Sequence, residues 1–328
     1  MESRITRLTT SQVKCFKTCR KRYELEYVEM LKPIETPKAL EIGTLYHAGL
    51  EMLLSGVDFS IVEGDILDMQ RRNAEEKGID FEPLNAYIAI EMVRAWNRES
   101  GWQEWKITAV ERSFEVTTGY AKRLLGKIDG TIIRPDTGKP YLIEHKSTSQ
   151  WGIDGSDYLH NLLWDEQSTN YLYAYQRMLE DGVIEGSLVD GICYDIIEKP
   201  TIKPFSATPM EKRKYTKDGR LYAGQHESDE TPEEYRERVR EWYDAEKRIH
   251  TAFVYRTPAD IAAQIADFNL TLKDIVAAER EGTFYRNPEA CKILPCPYRS
   301  KCLDNVPDTD CLFVKKQAKN EELNHETF

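Results

Sequence analysis

Asp129, Glu144 and Lys146 are the residues whose types and spacing best fit a chemical task. They sit in Leu125-Gly126-Lys127-Ile128-Asp129-Gly130 and Tyr141-Leu142-Ile143-Glu144-His145-Lys146, two runs with strand composition, with the turn-forming Pro135-Asp136-Thr137-Gly138 between them. With those four residues as a hairpin loop, Arg134 pairs with Lys139, and the same register carried inward sets Asp129 opposite Glu144. Alternation turns Lys146 to the face of Glu144 and sends Tyr141 and Ile143 to the other. Two facing carboxylates repel unless a cation lies between them, and Mg2+ and Mn2+ prefer oxygen ligands. A metal there lowers the pKa of a bound water, and a neighbouring ammonium orients that water or stabilises charge building on a phosphate. Phosphodiester hydrolysis needs those parts. Taken alone, the three residues also read as an exposed sheet edge with no task.

The cysteines are the second candidate. Seven occur, and Cys291-x4-Cys296-x5-Cys302 brings three close together, with Pro295 and Pro297 flanking the middle thiol and Cys311 nearby. The start, Met1 to Thr10, offers no apolar run of signal-peptide length, so the expected setting is cytoplasmic, where thiols stay reduced and clustered ones serve metals rather than disulfides. Four thiolates suit zinc as well as iron–sulfur. Cys193 falls in a strand-like run and reads as a core residue.

Changes of periodicity divide the elements that must position these groups. Residues 1–104 read as a helical N-terminal segment, with apolar residues at helical spacing in Leu45–Leu54 and Tyr87–Trp96. Residues 105–200 read as the core: strands and turns from Trp105 to Ser147, a helix from Trp164 to Leu179, and a strand from Leu188 to Ile197 stopped by Pro200. The order is α, β, β, β, α, β. Residues 201–282 read as a charged helical segment with a capped start at Thr231-Pro232-Glu233-Glu234 and a helix from Pro258 to Glu281. A cysteine-rich segment (283–314) and a polar tail (315–328) complete the chain.

Gly126-x-x-Asp129 followed by Glu144-x-Lys146 resembles motifs II and III of the PD-(D/E)XK nucleases. Gly43-Thr44-Leu45-Tyr46-His47 is similar to the G-x3-H segment of the RecB-like branch, and Gln167-Ser168-Thr169-Asn170-Tyr171 to its Q-x3-Y motif. The resemblance implies an α/β restriction-endonuclease-like core, a mixed central sheet flanked by helices. It also implies Mg2+ or Mn2+ held by His47, Asp129, Glu144 and the main-chain carbonyl of His145, with Lys146 assisting the water. Gln167 and Tyr171, one helical turn apart, would contact DNA. Ser11-Gln12-Val13-Lys14-Cys15-Phe16-Lys17-Thr18-Cys19 resembles the start of members such as AddB-type and CRISPR adaptation nucleases, in which one early and three late cysteines hold a [4Fe–4S] cluster. Cys19, Cys291, Cys296 and Cys302 take those positions, leaving Cys15 and Cys311 as alternatives and zinc as the other metal. The late spacing departs from the family's, with four residues rather than two between the first pair.

A net charge of −11 argues against indiscriminate binding along duplex DNA. Two basic patches stand out: Lys14, Lys17, Arg20, Lys21 and Arg22, then Lys212, Arg213, Lys214, Lys217 and Arg220. Both also read as solvated faces, the second especially. The expected partner is DNA, single-stranded or with free ends, with a helicase, recombinase or CRISPR adaptation protein as companion and no membrane. An exonuclease in recombination, repair or phage DNA processing is one expectation; a DNA-binding subunit that does not cut is the other. No G-x-x-x-x-G-K-[ST] loop occurs, so no built-in ATP motor is expected.

Overall fold

The computed structural model describes residues 6–35, 37–119, 121–150, 155–293, 296–303, 312–317 and 323. Strand β1 (Thr6–Thr9) runs into helix α1 (Thr10–Thr18), then α2 (Arg20–Tyr23) and a π-helical turn over Glu24–Val28. After the short β2 (Leu31–Pro33) come α3 (Lys38–Leu54), α4 (Phe59–Lys77) and α5 (Leu84–Glu99). The strands β3 (Lys106–Gly119), β4 (Lys122–Ile133) and β5 (Pro140–Thr148) follow, then α6 (Ser156–Leu162), α7 (Glu166–Glu180) and β6 (Ile192–Glu198). The last elements are α8 (Pro232–Ala245), β7 (Ile249–Val254), α9 (Pro258–Glu281), α10 (Pro288–Ile293), α11 (Arg299–Cys302) and β8 (Phe313–Lys315).

Six strands form one mixed sheet, in the order β1-β4-β5-β6-β7 with β3 also on β4. One apolar core joins Phe16, Leu172, Phe268 and Leu272 of α1, α7 and α9 to Leu124, Leu142, Tyr194 and Ile196 of the sheet. A second joins Leu50, Val62, Val93, Trp96 and Tyr243 of α3, α4, α5 and α8 to Ile197. Burial on both faces makes a helix–sheet–helix sandwich, the mixed α/β architecture expected from the sequence.

Helices with strong local signals start where the sequence puts them. Capping boxes at Thr231/Glu234 and Thr257/Asp260 open α8 and α9, and Gly282 closes α9 at φ 67. Four features differ from the sequence reading, one being that Leu31–Pro33, inside the segment read as helical, pairs antiparallel with Phe313–Lys315. Thr6–Thr9, too short to show a period, forms a strand parallel to β4. Ile249–Val254 lies in a segment read as helical, yet pairs antiparallel with β6 because six residues with Ile, Phe and Val suit a sheet edge. The stretch between Glu198 and Thr231 holds only one 3-10 turn, Met210–Lys212, and a small hairpin bridged at Tyr215 and Leu221. Among the described residues no helix is long and apolar enough to cross a membrane.

Candidate active site

The site lies where β4 and β5 part. The hairpin closes as its turn residues dictate, Arg134 donating to Lys139 at 3.0 Å, and the register runs through Ile132↔Tyr141 to Gly130↔Ile143. Pairing ends there, one step before Asp129 would face Glu144. From Glu144 onward β5 pairs with β6 alone, while the start of β4, Lys122–Leu125, takes β1 on the edge that β5 has left. Residues 126–129 therefore have no strand partner on that edge. The Asp129 carboxylate stands in for the ladder, accepting the His145 amide at 2.8 Å.

A cleft of about 1020 Å³ opens at this fork, lined by His47, Glu111, Lys127, Asp129, Glu144, Lys146, Gln167 and Tyr171 among others. Helix α3 brings His47 in. Gly49 makes this close packing possible, since a Cβ there would stand 2.8 Å from both Ile66 and Val93 on α4 and α5. His47 Nδ1 lies 3.8 Å from Asp129 Oδ2, and burial lowers its pKa, keeping the imidazole neutral and able to donate a lone pair. The His145 side chain faces away from the cleft. Its Nδ1 is 2.9 Å from Asp195 Oδ2, which also accepts the Trp96 indole N–H. Against the opposing effect of burial, Asp195 holds the His145 pKa above the ordinary value. What His145 offers the fork is its main chain, whose N–H and C=O point to the same side of a strand.

Glu144 is 4 % exposed, and its Oε2 has no hydrogen-bond partner. Burial, with Asp129 adding repulsion against the relief given by Lys146, pushes its pKa up to about 8. Lys146 donates to Glu144 Oε1 at 2.7 Å and lies 3.6 Å from Asp165 Oδ2. Burial works against its charge, but the two carboxylates prevail and hold the ammonium protonated. A buried carboxylate with a spare oxygen, a second carboxylate and a neutral imidazole fit a hard divalent cation. Among the described residues no three His, Cys, Asp or Glu side chains are closed into a ready-made ligand set. Gln167 Nε2 donates to the Tyr171 hydroxyl at 2.7 Å, so the two side chains share one helix face at the cleft wall.

Gly126 is explained by Phe114 and Tyr171, whose rings meet edge to face at 5.6 Å. An added Cβ would stand 2.5 Å from Phe114 and 3.1 Å from Tyr171. Gly126→Ala is expected to cost about 1–3 kcal/mol through overpacking and to shift Tyr171, lowering the melting temperature. An unchanged melting curve would show that the aromatic pair yields freely.

Four residues at the cleft or beside it are given no role by the sequence motifs. Lys127 is held between Glu111 at 2.6 Å and Glu51 at 3.5 Å. Glu111, at φ 47, is pushed up to about 7 by burial and by Asp129. Glu51 lies one turn beyond His47 on the same helix; Glu111 is on a strand with no motif around it. Asp165 announces itself only as a residue suited to cap a helix.

Residues 18–31 meet residues 285–298. Asn287 donates to the Thr18 carbonyl at 2.9 Å, Lys21 N–H to Tyr285 at 3.1 Å and Tyr298 to Leu31 at 2.9 Å. Burial raises Cys296 and Cys302, and Cys19 and Cys291 add to both; among the described residues no three of these thiols are placed as a ready-made metal site. Cys15 is pushed up to about 12 by burial and Glu26, so it stays a thiol. Cys311 lies outside the described residues. Cys193 is buried in the sheet, as expected of a core residue. The first basic patch is mostly committed elsewhere: Lys17 to Glu166, Arg20 to Asp274, Lys21 to Glu24 and Arg22 to Glu26, leaving Lys14 exposed.

A sheet forked to present carboxylates, a lysine and a Gln–Tyr pair to one cleft defines a class of phosphodiester-cleaving proteins. The chain belongs to the PD-(D/E)XK nuclease superfamily, whose family model matches residues 7–303. Among solved structures it is similar to a candidate exonuclease from Eubacterium rectale, at 11% identity over 99% of this chain and 94% of that one, TM-score 0.46. It is also similar to the protein SSO0001, at 16% identity over 83% and 77%, TM-score 0.30. None of the curated proteins matches the chain.

Proposed function

We propose that this protein is a Mg2+- or Mn2+-dependent deoxyribonuclease of the RecB-like branch, acting as an exonuclease on DNA with free or single-stranded ends. The observation that carries this reading is Glu144: a buried carboxylate with an unpartnered oxygen, in one cleft with Asp129, His47 and Lys146. In the proposed site His47, Asp129, Glu144 and the His145 carbonyl hold the cation. When bound, the cation supplies charge neutralisation at the phosphate and a more acidic water. Lys146 keeps a positive charge beside the scissile group, where it orients the attacking water and offsets charge on the phosphate oxygens. Gln167 and Tyr171, already hydrogen-bonded to each other, present a fixed polar edge to the strand.

The cysteine set is assigned to a [4Fe–4S] cluster on Cys19, Cys291, Cys296 and Cys302, with zinc as the alternative. The contact between residues 18–31 and 285–298 supports it, together with the nearness of Cys19 and Cys291 to Cys296 and Cys302. Recombination, repair or phage DNA processing, alongside a helicase, recombinase or CRISPR adaptation protein, is the proposed setting.

Cleavage of end-labelled single- and double-stranded DNA, linear and circular, with Mg2+ or Mn2+ tests the reading. Metal-dependent loss of label from linear DNA with circles spared is expected. Cutting of circles would make it an endonuclease, and DNA binding without cutting under either metal would make it a non-cleaving subunit.

A further inference from the structure

Lys146 has two acidic partners, and the proposed metal claims one of them. Glu144 is the nearer, but a cation on Glu144 withdraws lone pairs from Lys146 and repels its ammonium. Asp165 remains. It is the N-cap of α7: Oδ1 accepts the Gln167 amide at 3.1 Å, and Oδ2 accepts Ser168 Oγ at 3.0 Å and the Tyr194 hydroxyl at 3.3 Å. Four groups from β5, β6 and α7 thus converge on one largely buried carboxylate, whose position does not depend on the cation.

We propose that Asp165 is a positioning residue that retains Lys146 when a divalent cation occupies Glu144, while the same carboxylate seats the helix start bearing Gln167 and Tyr171. The proposal rests on the nuclease reading above. Its two roles separate chemically, because asparagine caps helices as well as aspartate does but carries no charge.

In Asp165→Asn the melting temperature should stay within about 2 °C of wild type. Its kcat should fall by about 10- to 100-fold with KM little changed. Calorimetric titration of the metal-free variant should show Mn2+ binding weakened several-fold, because Lys146 then competes for Glu144. Asp165→Ala should in addition lower the melting temperature, and Asp165→Glu should recover part of the kcat. Wild-type kcat and Mn2+ affinity in Asp165→Asn would overturn the proposal and leave a cap only. Glu144→Ala, titrated alongside, separates the two failures: if it still binds Mn2+ and cuts, the nuclease site itself is misassigned.

A separate observation concerns the second basic patch. Residues 208–226 form a hairpin pinned at its base by Phe205 stacked on His226 at 4.1 Å and by Arg238 over Phe205 at 3.5 Å. Thr216 N–H to Arg220 at 2.7 Å and Tyr222 N–H to Lys214 at 2.9 Å order its arm. Between Met210 and Tyr222 five cations face two acids in a chain of net charge −11. Lys212, Lys214, Lys217, Arg220, Tyr215 and Tyr222 are exposed, and Arg220 reaches only the equally exposed Asp218. Arg213 is spent on the hairpin, donating to the Thr208 and Glu227 carbonyls at 2.8 and 2.7 Å, whereas the other four cations meet no acid but Asp218 among the described residues.

We infer that this arm binds single-stranded DNA, its lysines and Arg220 meeting phosphates and its two tyrosines stacking on bases. In a Glu144→Gln background, replacing Lys212, Lys214, Lys217 and Arg220 by serine should raise the Kd for a labelled single strand by at least about 10-fold and flatten its salt slope by up to about 3. Tyr215→Ala with Tyr222→Ala should weaken single strands more than duplex. In the wild-type background, hydrolysis of bis-(p-nitrophenyl) phosphate should be unchanged by either set. An unchanged Kd, or equal losses for duplex and single strand, would overturn the inference; absence of hydrolysis by any version would instead count against the nuclease reading.

Discussion

Glu144→Ala is expected to abolish metal-dependent cleavage, with a loss on the order of 10³-fold or more, while leaving the fold intact. The reason is the asymmetry of this carboxyl's situation. In the metal-free protein Glu144 is buried, raised to about 8 and half-satisfied, so it destabilises the fold when ionised. The sign follows from proton linkage. Between the ordinary value of 4.5 and about 8 the folded state binds more protons than the unfolded one, so stability falls as pH rises through that window. Mg2+ or Mn2+ should reverse the fall. Melting temperatures of wild type and Glu144→Ala from pH 5 to 9, with and without metal, check this. Wild type should lose stability with pH and regain it with the cation, whereas the variant should keep only the smaller fall that Glu111 contributes below about pH 7, with no metal effect and no cleavage. A variant that still cuts would remove Glu144 from the mechanism, and a wild type unmoved by metal would place the cation elsewhere.

The second large effect is expected at Cys19. A metal ligated by Cys19 and by Cys291, Cys296 and Cys302 closes a loop that spans nearly the whole chain, and restricting so long a loop in the unfolded state stabilises by on the order of 5 kcal/mol. Cys19→Ser should therefore lower the melting temperature by about 10 °C and, in protein purified without oxygen, discharge the brown colour of an iron–sulfur cluster. Cys15→Ser should keep both, since Cys15 Sγ lies 3.9 Å from Glu26 Oε2 and is engaged there. Iron and zinc determined per chain decide the metal: iron and sulfide near four per chain fit the cluster, and one zinc in colourless protein fits the alternative. Retention of metal and stability by Cys19→Ser would dissolve the assignment of this ligand.

The distance over which each part of the site is specified decided how legible it was. Asp129, Glu144 and Lys146 lie on one hairpin, and its register was readable because Pro135 to Gly138 set the turn and all later pairs follow from the closing pair. His47, Gln167 and Tyr171 were singled out by the resemblance to the G-x3-H and Q-x3-Y motifs, helical spacing adding only that Gln167 and Tyr171 share one face. The bounds of α9 were readable from a capping box and a terminal glycine. Beyond that, competition for the edges of β4 decided the outcome. Nothing local to the hairpin says that its pairing stops at Gly130, because the fork arises where β1 takes the start of β4 and β6 takes the end of β5. The two basic patches looked alike in sequence and part company for the same kind of reason. Glu166 and Asp274, 149 and 254 residues away, neutralise part of the first, and among the described residues no acid comes to most of the second. Asp165 and Lys146 meet across three elements, and Lys127 lies between acids on α3 and β3. Local backbone preferences and side-chain periodicity act within a turn or a hairpin, so the sequence by itself determined which residues could do chemistry. Burial and ion pairing between distant segments exist only once the chain is packed, so the tertiary structure alone decided where the cleft opens, which charges stay available and what holds Lys146.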